Sequence, residues 1–213
     1  MYKKLIDQFF RENPANNDEL PSVAALAHFK IKLLLTPDTN EQLNNITSEF
    51  VFKDQPLREE KVLSEKSAIE SATTFDQIIK YMRRGPDSIN QDALVFKALE
   101  FEEEIIPEII RMLKTSLNTM FIETAVRVLA ICKKDIAEEL IGCFDIVRNP
   151  YAQSLILIAL GFKADVTQVP WLIEQYKALK HRYPKEKYHY CAHYAIYEIE
   201  NRFYPEKTDK GFL

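Results

Sequence analysis

A chain of 213 residues, 46% hydrophobic and 28% charged, is long enough for one sizeable core or one repeat array and too apolar to stay disordered. Its four glycines are too few for the tight turns of a β-sandwich, a Rossmann unit or a phosphate loop, and point to helices joined by short connections. A net charge of −4 argues against sequence-independent nucleic-acid binding, but residues 1–88, 89–147 and 148–213 carry −2, −5 and +3, which leaves room for a basic patch near the C-terminus.

Apolar spacings of three and four run through most of the chain. They predict a first helix over 2–12, with Leu5, Ile6, Phe9 and Phe10 on one side. A second is expected from Pro21 through about 35, with Val23, Leu26, Ala27, Ile31 and Leu34 inward. Thr36-Pro37 reads as an N-cap followed by a proline in the first turn, opening a third helix to about Ile46. Phe50 and Phe52 alternate as in a short strand, and the charged stretch to residue 72 has little periodicity. Thr74 caps a further helix carrying Phe75, Ile78, Ile79 and Met82, which Gly85-Pro86 terminates.

Beyond Pro86 the pattern repeats every 31–32 residues. Leu94, Val95 and Ala98 align with Ala125, Val126 and Leu129, then with Ile156, Leu157 and Leu160. Ile106, Ile109, Ile110 and Leu113 align with Ala137, Leu140, Ile141 and Phe144, then with Val169, Leu172, Ile173 and Tyr176. A last helix is expected from about Glu186 to Phe203. A pair of such helices cannot bury its own apolar stripe, so neighbouring pairs are expected to stack into a continuous core. The division expected is a helical region over 1–86, repeats over 87–204 and a tail over 205–213.

The stretch Glu104-Ile-Ile-Pro-Glu-Ile-Ile-Arg-Met-Leu-Lys114 and its echo Gln168-Val-Pro-Trp-Leu-Ile-Glu-Gln-Tyr-Lys177 resemble the second helix of HEAT-type repeats. The fold class expected is therefore all-α, a HEAT-like α-α superhelix of stacked helix pairs with an N-terminal helical cap. The regular Asp and Arg ladder common in HEAT repeats is missing here. The resemblance implies a concave face made by second helices, on which partners bind. Glu108, Glu139 and Trp171 share a register position there, with Glu104, Glu138 and Asp145 adding acid. An exposed Trp is a favoured interface anchor; packing under the last helix is the alternative.

On a helical wheel at 100° per residue, Ala192, Ala195, Ile196, Ile199 and Phe203 form the core stripe of the last helix. Tyr190, His193, Tyr194, Tyr197 and Tyr204 fall on the opposite side, which is expected either to meet a partner or to lie under the tail. His189 and His193, four residues apart, have half a zinc-site spacing, with Glu186 or Glu200 as a third ligand, but Tyr190 stands where zincins carry a Glu, and no metal or other cofactor is expected. No Gly-rich phosphate loop, nucleophile elbow or supported Cys–His pair occurs, so no catalytic residue is assigned. The acidic run over Glu100 to Glu104 suits a solvated turn before a helix.

Three cysteines without a CxxC spacing suggest a reduced, cytoplasmic protein, and neither a secretion signal nor a membrane span is expected. The leading functional expectation is a non-catalytic scaffold or adaptor holding a basic protein partner. The alternative is a HEAT-like DNA-binding protein or alkylated-base glycosylase using Trp171 and the Lys/Arg-rich stretch from Lys177 to Lys187; the acidic middle repeats weigh against it. A homo-oligomer formed through the Tyr face is a third reading.

Overall fold

A computed structural model describes residues 1–14, 22–53 and 55–205, with the backbone alone at Ser22 and 47–51. The described residues form twelve α-helices and no strand. The fold class is all-α, and no helix among the described residues is long and apolar enough to cross a membrane. The helices are α1 (Tyr2–Glu12), α2 (Ser22–Leu34), α3 (Pro37–Phe52), α4 (Pro56–Glu70), α5 (Phe75–Arg84) and α6 (Gln91–Leu99). They continue with α7 (Glu102–Leu113), α8 (Thr119–Ile131), α9 (Ala137–Ile146), α10 (Pro150–Lys163), α11 (Val169–Arg182) and α12 (His189–Phe203). The expectations placed on Pro21, on the side chain of Phe50 and on the 206–213 tail lie outside the described residues.

Local chemistry accounts for several helix ends. Thr74 and Gln77 close a full capping box at the start of α5, and Gly85, at φ 72°, ends it in the left-handed region that glycine tolerates best. Asn118 and Asn149 cap α8 and α10 through their side-chain oxygens. Two expectations are corrected. Residues around Phe52 end a helix rather than form a strand, and the charged stretch beyond is α4, which buries just Val62 and Ile69, two turns apart. In α2 the buried positions are Ala24, Ile31 and Leu34, whereas Val23 and Leu26 face out at 40% and 50% exposure. A helix apolar all round carries two candidate stripes, and packing chose between them.

The chain divides into two compact units, one of residues 29–134 and one of residues 1–28 with 135–213. The boundaries fall within α2 and just before α9.

In the unit of residues 29–134, α8 packs against α5, α6 and α7, and α4 against α6. Phe121, Ile122, Ala125, Val126 and Leu129 on α8 are buried, as are Leu94, Val95 and Ala98 on α6. Arg127 is buried too: its guanidinium donates to Gln91 at 2.5 Å and lies 3.5 Å from Glu123. A buried cation needs such partners, because desolvation without them costs several kcal/mol. At the start of α7, Glu102 accepts from the backbone N–H groups of Lys133 and Lys134 at 2.7 and 2.8 Å, and Glu103 pairs with Lys134 at 2.6 Å. The acidic run is thus partly a device that ties one interhelical turn to the corresponding turn 31–32 residues on.

In the unit of residues 1–28 and 135–213, α12 packs on α10 and α11, with α1 on both α11 and α12. Ten of the fourteen residues of α10 are buried, among them Gly161, where an added Cβ would come within 2.8 Å of the Ala195 Cα. Glycine at that position lets α10 and α12 approach backbone to backbone. Gln168 donates to Glu138 at 3.2 Å, and Trp171 meets the Phe144 ring edge-on at 5.2 Å, so side chains at the start of α11 reach α9 at two points.

Candidate functional site

The sequence-derived candidates fall in both units. In the unit of residues 29–134, Glu108 on α7 forms a two-bond pair with Arg111, each bond 2.6 Å. Those bonds hold its carboxyl below the usual range, against a small opposing effect of burial. The acidic character expected at Glu108 is therefore offset by its own neighbour one turn away.

In the other unit, Glu138 and Glu139 stand exposed in the first turn of α9, where negative charge meets the positive helix end. Trp171 is half-buried against Phe144, neither free on the surface nor enclosed under α12. Glu139 lies on α9, the helix whose Phe144 ring meets Trp171 of α11. An indole with one edge packed and one edge open is a rigid anchor that loses little side-chain entropy on contact.

The aromatic face of α12 is corrected. Tyr190 and His193 are buried, and Tyr194 and Tyr197 are half-buried. On one flank α1 covers the face: the rings of Phe9 and Phe10 lie 5.6 and 4.9 Å from that of His193, and Phe9 meets Tyr176 edge-on at 5.0 Å. The other flank receives His28 of α2, whose ring lies 5.0 Å from Tyr194 and 5.5 Å from Phe162. The core stripe holds except at Phe203, which is 44% exposed. The face opposite the core stripe is therefore mostly a second packing surface.

The structure also places charged groups that the sequence reading passed over. His28 Nε2 lies 3.0 Å from a carboxylate oxygen of Glu198, a residue 3% exposed. Lys3 pairs with Glu200 and Asp7, and Arg202 donates to the Ala164 carbonyl. The spacing Ala24, His28, Ile31 set His28 on an inward face, a signal present in the sequence, whereas its partner 170 residues away had none.

His189 and His193 do not converge on a metal. His193 Nε2 donates to the Asn13 carbonyl at 3.1 Å, and no group of three His, Cys, Asp or Glu side chains among the described residues could hold one. The three cysteines are buried thiols outside any disulfide, and burial pushes the Cys191 thiol up to about 12, the Ser154 contact pulling the other way.

Burial holds the His193 imidazole below 6.5, with the Asn13 bond opposing. Below that pH the unfolded chain takes up a proton that native His193 refuses, so its contribution to stability is present above 6.5 and is lost as pH falls through the folded value. The urea midpoint of the protein is expected to drop, relative to a His193→Gln variant that keeps a donor toward Asn13, between about pH 7 and 5. A difference independent of pH across that range would show that His193 titrates normally.

A comparison with known proteins finds no family model, no curated protein and no solved structure that matches this chain. Fold and site together define an all-α protein with a half-buried Trp packed on α9, a helix whose first turn is acidic.

Proposed function

We propose that the chain is a HEAT-like helical-repeat scaffold, without a catalytic step of its own, that holds a basic protein partner. Support for stacked repeats comes from contacts at the sequence period: Glu102 to Lys133 and Lys134 at separations of 31 and 32, and Glu138 to Gln168 at 30. Repeats stacked in register bring equivalent turns together in this way.

The observation that carries the binding site is Trp171, packed edge-on to Phe144 with Glu139 exposed on the neighbouring α9. The carboxylates would attract and orient a Lys- or Arg-bearing surface, and the indole would supply the buried contact. Tyr190 and His193 have no part in this surface, because both are buried, His193 against Phe9 and Phe10 of α1.

Capture from the native lysate on wild-type protein and on a Trp171→Ala, Glu139→Lys double variant tests the reading. A protein bound by the wild type is expected to lose at least about 30-fold in affinity, the scale of a hot-spot Trp, while the circular dichroism of the variant is unchanged. Equal retention on both, or nucleic acid as the retained species, overturns it.

A further inference from the structure

The connection between α4 and α5 leaves a cleft of about 360 Å³ within the unit of residues 29–134. Ala68 and Ser71 form one wall; Lys80, Tyr81 and Arg84 stand on the other, on one face of α5. The side chain of Gln77, also at the cleft, is spent on the capping box. A volume of this size takes a small organic molecule rather than a lone ion.

The walls carry two cations and no carboxylate. Among the described residues neither Lys80 nor Arg84 makes an ion pair or a side-chain hydrogen bond, and the half-buried Tyr81 hydroxyl has no partner. Nearby acids are engaged elsewhere: Glu65 accepts from the Asp87 N–H at 2.8 Å and from Asn90 at 2.9 Å, and Glu70 lies 3.9 Å from Lys66. Asp76, one turn before Lys80, forms no pair with it. The net charge of the chain is negative, so this positive cleft is a local arrangement and not a consequence of bulk charge.

We propose that the α4–α5 cleft is a binding site for a small phosphate monoester. The Arg84 guanidinium offers paired donors to two phosphate oxygens, Lys80 adds a point charge one turn away, and the Tyr81 hydroxyl supplies a third donor. The small side chain of Ala68 leaves room opposite for the organic group of the ester. The negative end of the α5 dipole opposes an anion here, so affinity depends on the two side-chain cations, and losing both removes it. The site is independent of the proposed protein-binding surface at Trp171, which belongs to the other unit.

Calorimetric and NMR titration with glycerol 3-phosphate tests the assignment, with inorganic phosphate and glycerol as controls at low salt. The wild type is expected to bind the ester saturably, to bind inorganic phosphate more weakly and to ignore glycerol, with amide shifts confined to residues 68–84. Lys80→Gln with Arg84→Gln is expected to weaken binding at least tenfold, and Ala68→Phe, which fills the cleft and leaves both cations, is expected to do the same. Unchanged thermal midpoints in both variants separate loss of the site from loss of the fold. Absence of saturable binding, or equal affinity in either variant, overturns the site; equal affinity for inorganic phosphate and the ester overturns the ester assignment.

Discussion

Gly161→Ala is expected to destabilise the protein by about 2–3 kcal/mol, although alanine is the better helix former. On an open helix the same change would stabilise by up to about 1 kcal/mol, through the lower entropy of the unfolded chain. Gly161 differs because the new methyl would sit 2.8 Å from the Ala195 Cα and 3.3 Å from its carbonyl oxygen. Both are backbone atoms of α12, a helix buried along most of its length, so no side chain can swing aside. Ala195→Gly is accordingly expected not to rescue the variant. Gly142, also helical but with nothing within 4 Å of an added Cβ, provides the internal control. Urea titration should move the midpoint down for Gly161→Ala and up for Gly142→Ala; movement in the same direction would refute the close α10–α12 approach.

Phe121→Ala is expected to cost about 3–5 kcal/mol, the range for emptying a buried aromatic site. Phe121 is fully buried on the first turn of α8, the helix on which α5, α6 and α7 converge. Phe96 on α6, at 44% exposure, is expected to lose under about 1 kcal/mol on the same change. Hydrogen exchange within residues 29–134 would read the difference directly, since amides of α6 and α8 should lose protection in Phe121→Ala and keep it in Phe96→Ala. A loss below about 1 kcal/mol at Phe121 would mean that α8 can collapse into the vacated space.

The two experiments address packing, and packing is where the sequence reading was weakest. Helix ends were legible because their signals are local: the Thr74–Gln77 box, the left-handed Gly85 and the proline at the start of α3 act within a few residues. Burial in the repeats was legible for the same reason. Of the aligned positions, all but Ile110 and Ile141 are buried, and those two are half-buried. A helix with one wide apolar stripe has one face to hide. The α4 helix is not legible in the sequence because Val62 and Ile69 are its buried residues amid charge, too sparse a pattern to show a period.

At the candidate site the outcome divides along the same line. Glu138 and Glu139 at the start of α9 and the core stripe of α12 could be read from neighbours in sequence. The fate of the tyrosine face could not, because it depends on contacts made across 170 and 180 residues, His28 to Glu198 and His193 to Asn13. The all-helical class, several helix starts and stops, and the inward positions of the repeats follow from residue chemistry acting over one or two turns. The choice of stripe in α2, the cover over Tyr190 and His193, the pairing of Glu102 with the next turn and the cation-lined cleft beside α5 were decided by tertiary structure. Each depends on which distant groups meet, and the strength of a burial or a charge pair is set by its surroundings and not by the residue that carries it.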